Sequence, residues 1–323
     1  MRLASWLLAA VLAAAVFAGA RWLARWAARH PSAGPWRQAL ARVAADRGSS
    51  IALAGLAVLA VACALAPALA PYHPAFQPDI LALQGRPPSA AHPFGTDVFS
   101  RDVLSRMLYG ARVSLGVAVL AVTVSTTVGT LYGSLAGLAG AAVDGAMMRV
   151  IDACLAVPRV LLLIAVLGLW GRVPLPALVA LIGLTGWFGV SRLVRTQVRA
   201  LRGEDFIVSA NALGAGRARV LLRHVLPNVM SPVIVAATLG VGNVILLEAG
   251  LSYLGLGVQP PQPSWGNIVQ DGGDQIARYW WMALFPGLAI VLTVMAFNAL
   301  GDALRDALDP QARTAPAGAG PRP

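Results

Sequence analysis

The sequence predicts an all-α polytopic membrane protein with no separate soluble domain. Hydrophobic residues make up 58% of the chain and charged residues only 12%, where a soluble surface needs roughly a quarter charged. The apolar residues fall in seven blocks: Ser5–Ala20, Ile51–Ala70, Val113–Gly137, Leu155–Trp170, Leu175–Val194, Val229–Leu247 and Trp281–Leu300. Most approach the ~20 residues that cross a hydrocarbon core as a helix; the first and fourth are short, and the fourth has Val150–Cys154 to borrow from. The formal charge of +11 rests on arginine without lysine, and the arginines stand in runs between the blocks.

Residues 1–49 read as an N-terminal extension. Arg2, then Trp6–Phe17, then Ala18-Gly19-Ala20 have the three-part form of a secretory signal peptide. Cleavage there would leave Arg21, Arg25, Arg29, Arg37, Arg42 and Arg47 outside and invert every later span against the positive-inside rule. An extra membrane helix fits the charges better, and a translation start beyond this block is the remaining alternative. Residues 50–71 hold the next span, and 72–112 form an irregular external loop with six prolines between Pro71 and Pro93. The stretch 113–303 carries the other spans and a long polar segment at about 199–227. Residues 304–323 form a tail that reads as disordered from Pro310.

Arginine placement orients the spans. Arg149, the group Arg192, Arg195, Arg199, Arg202, Arg217, Arg219 and Arg223, and the tail's Arg305, Arg313 and Arg322 share one side with Arg21–Arg47, because even numbers of spans separate them. That side is the cytoplasm. The other side receives Arg86, Arg101, Arg106, Arg112, Arg172 and Arg278, partly balanced by Asp79, Asp97 and Asp102.

Several functions are excluded by what the chain lacks. A phosphate-cradling P-loop needs a lysine, so this chain cannot hydrolyse ATP by that route. The arginine runs flank apolar blocks and do not form a nucleic-acid-binding face. His30, His73, His92 and His224 lie outside the blocks and are scattered in sequence; no Gly-x-Ser-x-Gly elbow occurs. No catalytic or metal-binding residue is assigned. Cys63 and Cys154 read as small packing residues.

The polar segment after the fifth block carries the most information. Arg199–Leu213 and Arg217–Val225 flank Gly214, which can adopt the positive φ of a tight turn between two short helices. Leu226-Pro227 then begins the next span, with the proline tolerated in a first turn. The spacing Val208-Ser209-Ala210, Gly214, His224-Val225-Leu226-Pro227 resembles the cytoplasmic Glu-Ala-Ala loop of bacterial ABC-importer permeases. The resemblance makes Ser209, Ala210, Gly214, Leu226 and Pro227 part of a coupling loop, whose short coupling helix docks into a groove on an ATPase subunit. The family's glutamate is replaced by Val208, its first alanine by Ser209 and its later isoleucine by His224. Glu204 and Asp205, one turn earlier, are the candidates to stand in for the missing carboxylate.

Further strings narrow the resemblance. His92-Pro93-Phe94-Gly95-Thr96-Asp97, Ser100-Arg101-Asp102-Val103-Leu104-Ser105-Arg106 and Tyr109-Gly110-Ala111-Arg112 are similar to the entry segment of C-type dipeptide, oligopeptide and nickel permeases. So are Leu251–Gly257, Pro260-Pro261, Pro263-Ser264-Trp265-Gly266, Phe285-Pro286-Gly287 and Gly301–Pro310; the likeness runs from about Trp36 to Pro310. It implies a six-helix permease core plus the extra N-terminal helix, in a bacterial inner membrane and surrounded by lipid. It also implies a second related permease, two ATP-binding subunits that hold ATP and magnesium, and an external substrate-binding protein. No cofactor is implied for this chain and no nucleic-acid partner. Di- and oligopeptides are the commonest substrates of such importers, with nickel and glutathione as alternatives. A stand-alone channel or secondary transporter is the distant alternative from another class.

Ionisable residues inside spans are costly and are functional candidates by default. Glu248, near the outer end of the sixth block, is a candidate pathway or gate residue, with Tyr253 and Trp265. Asp152 and Arg159 stand about two turns apart and are expected to pair. Trp280 and Trp281 read as interfacial anchors. Gly133, Gly137 and Gly140, with Ala136 and Ala141, form small-residue rows that let helices approach closely.

Overall fold

The computed structural model describes residues 45–273 and 275–308, with Arg42, Val43 and four isolated positions before them. The proposed extra span at Ser5–Ala20 and the tail from Pro310 lie outside the described residues. Within them the regular structure is helical. The elements are α1 (Arg47–Ala64), α2 (Ala66–Leu69), α3 (Ile80–Leu83), α4 (Val103–Leu138), α5 (Ala141–Leu155), α6 (Arg159–Trp170) and α7 (Leu175–Leu201). There follow α8 (Asp205–Ala212), α9 (Arg217–Val220), a π-turn (Leu221–Val225), α10 (Leu226–Tyr253), α11 (Trp265–Gly273) and α12 (Trp280–Leu308).

Five helical runs are long and apolar enough to cross a membrane: α1, α4, α7, the continuous run Ala218–Tyr253, and α12. The pair α5–α6 meets the same test but is bent by 67°. The fourth apolar block therefore gains no collinear length from Val150–Cys154. Pro158 ends the continuity, because its ring denies the helix an N–H and restricts Val157 to extended backbone. The third block also differs from expectation, starting ten residues early at Val103. Asp102 caps it, accepting from the Ser105 N–H at 2.8 Å, so Arg106 and Arg112 belong to a helix and not to a loop.

The main seam runs between α4 and α7. Gly129, Gly133 and Gly137 present one face at four-residue spacing; a Cβ on Gly133 would lie 2.4 Å from the Ser191 carbonyl oxygen and one on Gly137 2.7 Å from Val198 Cβ. Gly183 returns the contact, with its Cβ position 2.8 Å from Val124 Cβ. Bare backbone at these positions allows the close approach on which helix association in lipid depends. Gly140 is not part of the row: it N-caps α5 and no atom stands near its Cβ position. Around the seam, α10 packs on α4 and α12, and α12 on α1 and α11. Val117, Ala118, Ala121, Ile182, Ile245 and Met282 fill the centre.

The arginine-rich segments meet at one end. Asp144 on α5 accepts from Arg195 and, at 3.1 Å, from Arg199. Arg202 donates to the carbonyls of Gly137 and Ala139 at 3.1 and 3.0 Å, satisfying acceptors that the end of α4 leaves open. Asp152 pairs with Arg192 on α7 and not with Arg159, because the bend at Pro158 turns the two expected partners apart. Val43 and Arg42 lie against Ala307 near the end of α12.

At the opposite end the loop charges neutralise one another. Asp97, fully buried, accepts from Arg101 Nε and Arg106 Nη1 at 2.6 Å each, and Asp271 on α11 accepts from the same two arginines. This pairing answers two of the six arginines expected on the outer side, Arg101 and Arg106. Trp281 is no interfacial anchor: it is 3% exposed and donates to the Thr96 carbonyl at 3.0 Å, whereas Trp280 is half exposed.

Ser89 and Ser209 are both exposed, on the loop before α4 and on α8. With Cys63 and Cys154 first replaced, Ser89→Cys is expected to react with an impermeant thiol reagent supplied outside, and Ser209→Cys only after permeabilisation. Labelling of Ser209→Cys alone in sealed cells would reverse the orientation.

Candidate functional site

The segment after α7 forms a helix–turn–helix at the arginine-rich end. After Leu201 the chain turns through Arg202–Glu204 and forms the eight-residue α8, so Arg199–Leu213 is two helices and not one. The end of α8 is a Schellman cap. Gly214 has φ +79°, its N–H donates to Asn211 O at 3.0 Å, and the Ala215 N–H donates to Ala210 O at 3.0 Å. A side chain at that backbone angle costs about 1–2 kcal/mol, which explains the glycine.

One residue holds α8 to the bundle. Ile207 is 2% exposed and packs with Val194 and Val198 of α7, Val220 and Val225 of the following turn, and Val229 and Val233 of α10. Its neighbours Phe206 and Val208 are exposed, as are Leu213 and Leu222. Glu204, Asp205, Ser209 and Gly214 are exposed and Ala210 is half-buried. The segment therefore shows an apolar surface with small and acidic residues among it. Sequence spacing did not single out Ile207; the signal was an apolar residue one helical turn ahead of Ala210.

Leu226 begins α10 with Pro227 in its first turn, as expected, but the chain ahead of it is already helical from Arg217, and the π-turn Leu221–Val225 joins the two. That turn admits Pro227: the Leu226 N–H reaches back to Leu221 O, and Asn228 Nδ2 donates to His224 O at 2.6 Å. Carbonyls that a regular helix would serve through backbone N–H groups thus find other donors. Leu226 is half-buried and Pro227 exposed.

The outer candidates gather differently. Glu248, fully buried on α10, accepts from Ser114 Oγ of α4 at 2.8 Å and from Ser252 Oγ at 2.6 Å. Ser114 Oγ accepts from the Trp265 N–H at 3.3 Å, and Ser252 Oγ from the Val258 N–H at 3.0 Å. Trp265, 1% exposed, donates its indole N–H to Met107 O at 3.2 Å. Gly266 lets α11 lie directly on α10, since its Cβ would stand 2.5 Å from Ala249 O. Glu248 and Trp265 thus belong to one joint between α4, α10 and α11, while Tyr253 is half exposed beside it.

The described residues thus form a bundle of membrane-length helices with an exposed helix–turn–helix at one end and a tightly bonded loop layer at the other. The family described as binding-protein-dependent transport system inner membrane component matches residues 129–314, and the N-terminal TM domain of oligopeptide transport permease C matches residues 34–88. The dipeptide transport system permease protein DppC of Alkalihalophilus pseudofirmus is 41% identical over 286 residues, covering 88% of this chain and 93% of that protein. The oligopeptide transport system permease protein OppC of Bacillus subtilis is 35% identical, covering 86% and 90%. The di/tripeptide transport system permease protein DppC of Pseudomonas aeruginosa is 41% identical, covering 82% and 89%. The chain belongs to the binding-protein-dependent transport permease family, in its C-type branch. It is a multi-pass membrane permease subunit of an ABC importer and not an enzyme.

Proposed function

We propose that the chain forms one half of a pathway that carries di- and oligopeptides inward across the bacterial inner membrane. A second, related permease supplies the other half. An external binding protein delivers the solute, and two ATPase subunits, holding ATP and magnesium, dock on Glu204–Pro227 from the cytoplasm. The observation that carries the coupling part of this reading is the exposed α8. It is closed by a glycine cap and fixed by Ile207 to the roots of α7 and α10, so a load placed on α8 reaches two membrane-length helices directly. Similarity to permeases named for peptides supports the substrate class.

The test is ATP-dependent uptake of a labelled dipeptide by vesicles that contain this chain with its partner permease, two ATPase subunits and a binding protein. Gly214→Asp is expected to lower ATPase co-purification and uptake by about tenfold, from positive-φ strain and a new charge at the docking surface. Membrane levels should stay unchanged, because the substituted atoms lie in an open turn. Wild-type uptake by this variant would remove the coupling role from the loop, and uptake of nickel without dipeptide would reassign the substrate.

A further inference from the structure

Arg159 is an arginine within the membrane-spanning bundle that no carboxylate answers among the described residues. It opens α6, which rises 12 residues, about 18 Å, to Trp170. Its guanidinium turns toward α7, where Nη2 donates to Ile182 O at 2.6 Å and Nε to Thr185 Oγ1 at 3.2 Å. Ile182 lies seven residues, about 10 Å, along α7 from its outer end at Leu175. The charge therefore sits well inside the apolar layer. The space it occupies exists because residue 186 is glycine: a Cβ there would stand 3.0 Å from Arg159 Nη2.

Nη1 donates to nothing among the described residues, so part of a rigid five-donor fork remains open. Arg159 lines a cavity of about 150 Å³ whose wall includes Ser125 and Thr126 of α4, Gly186 of α7, and Gly240 and Asn243 of α10. Gly240 stands at the midpoint of α10 (Leu226–Tyr253). Hydroxyl, amide and bare backbone at mid-depth contrast with the alanine, valine and isoleucine around them. Asn243 is exposed, so the cavity opens toward the outside of the subunit on the α10 side. An arginine kept in such a place without a counter-charge marks a binding site or pathway by default. Its planar donor pair matches a carboxylate.

We propose that Arg159 receives the C-terminal carboxylate of the solute during passage, making this cavity a specificity-determining station of the pathway. The inference rests on the peptide reading, since the free carboxylate is the one anion every linear peptide carries. Alpha10 supplies one wall of the cavity and runs without a break into the loop at the cytoplasmic end, so movement of the loop displaces Gly240 and Asn243 against the guanidinium.

The experiment compares uptake of one dipeptide as free acid and as C-terminal amide, by the complete transporter, for wild type, Arg159→Gln and Arg159→Lys. Any preference of the binding protein is common to all three and cancels in the ratio. Arg159→Gln is expected to lower the acid-to-amide ratio by about tenfold, the worth of one charge-assisted hydrogen bond, and Arg159→Lys to restore part of it. A merely structural arginine would lower both uptakes together. An unchanged ratio in Arg159→Gln overturns the proposal and leaves the peptide reading standing. Wild-type vesicles that import neither form overturn the peptide reading itself, and this inference with it. Should Arg159→Gln fail to assemble, Asn243→Leu, at an exposed position on the cavity rim, takes its place with the same expected fall and the same overturning result.

Discussion

Asp97→Ala is expected to destabilise the assembled protein by about 3–5 kcal/mol, the usual consequence of removing one partner from a buried ion pair. Asp97 is fully buried, and Arg106, which would be left behind, is 4% exposed. One carboxylate oxygen accepts from Arg101 and Arg106, while the other accepts the N–H groups of Phe99 at 2.8 Å and Arg101 at 2.9 Å. Alanine therefore removes one of the two carboxylates that answer Arg101 and Arg106, leaving Asp271 alone against both, and unties the turn that delivers Asp102 to the start of α4. Asp97→Asn keeps an acceptor for the turn and should cost less. The double variant Asp97→Ala/Arg106→Leu should recover part of the loss, because Asp271 then faces one arginine and not two. Chemical denaturation of the detergent-purified complex checks the series, and a wild-type midpoint for Asp97→Ala would show that the network bears no weight.

Gly133→Leu is expected to act as strongly by a different route. Its first side-chain atom would fall 2.4 Å from Ser191 O, 2.9 Å from Val194 Cβ and 3.1 Å from Arg195 N. Two of these neighbours are backbone atoms, so no rotamer change relieves the overlap and α4 and α7 must part. Overpacking commonly costs 1–3 kcal/mol, and a contact against backbone places this variant at about the upper end or beyond. Separation of α7 also withdraws Arg195, Arg199 and Arg202 from their acceptors on α4 and α5. The expected result is a several-fold lower membrane level and loss of co-purifying partners. Gly116→Ala, on the same helix with no atom near its Cβ position, serves as the control. Equal membrane levels for Gly133→Leu and this control would contradict the α4–α7 seam.

The spans were legible in the sequence because lipid imposes one requirement on every outward-facing residue, and long apolar blocks follow from it. Gly214 was legible for a local reason: a helix that stops and reverses within a few residues needs a positive φ, and few residues accept one. What hydropathy could not register was pairing across the chain. Asp97 and Asp271 meet the same arginines from positions far apart in sequence, and Asp152 chose Arg192 where proximity along the chain favoured Arg159. The early start of α4 was hidden because its first two turns contain Ser105, Arg106 and Tyr109, polar residues whose partners lie on other segments. Glu248 drew notice as a carboxylate in an apolar block, but its serine ligands come from α4 and from the next turn of its own helix. Only the packed bundle distinguishes such a knot from an open gate.

Two ties described separately have a joint consequence. At the arginine-rich end Arg202 fastens the loop to the last carbonyls of α4. At the opposite end Glu248 fastens α10 to α4 through Ser114. The loop turns at Arg202–Glu204 and again at Gly214, and from Ala218 it runs continuously into α10, so α4, the loop, α10 and the knot at Glu248 close a frame of two long struts and two crosspieces. Such a frame leans more readily than it stretches, so a push at Arg202 is passed on as sliding between α4 and α10 at Ser114, about 35 Å away along α4 at 1.5 Å per residue.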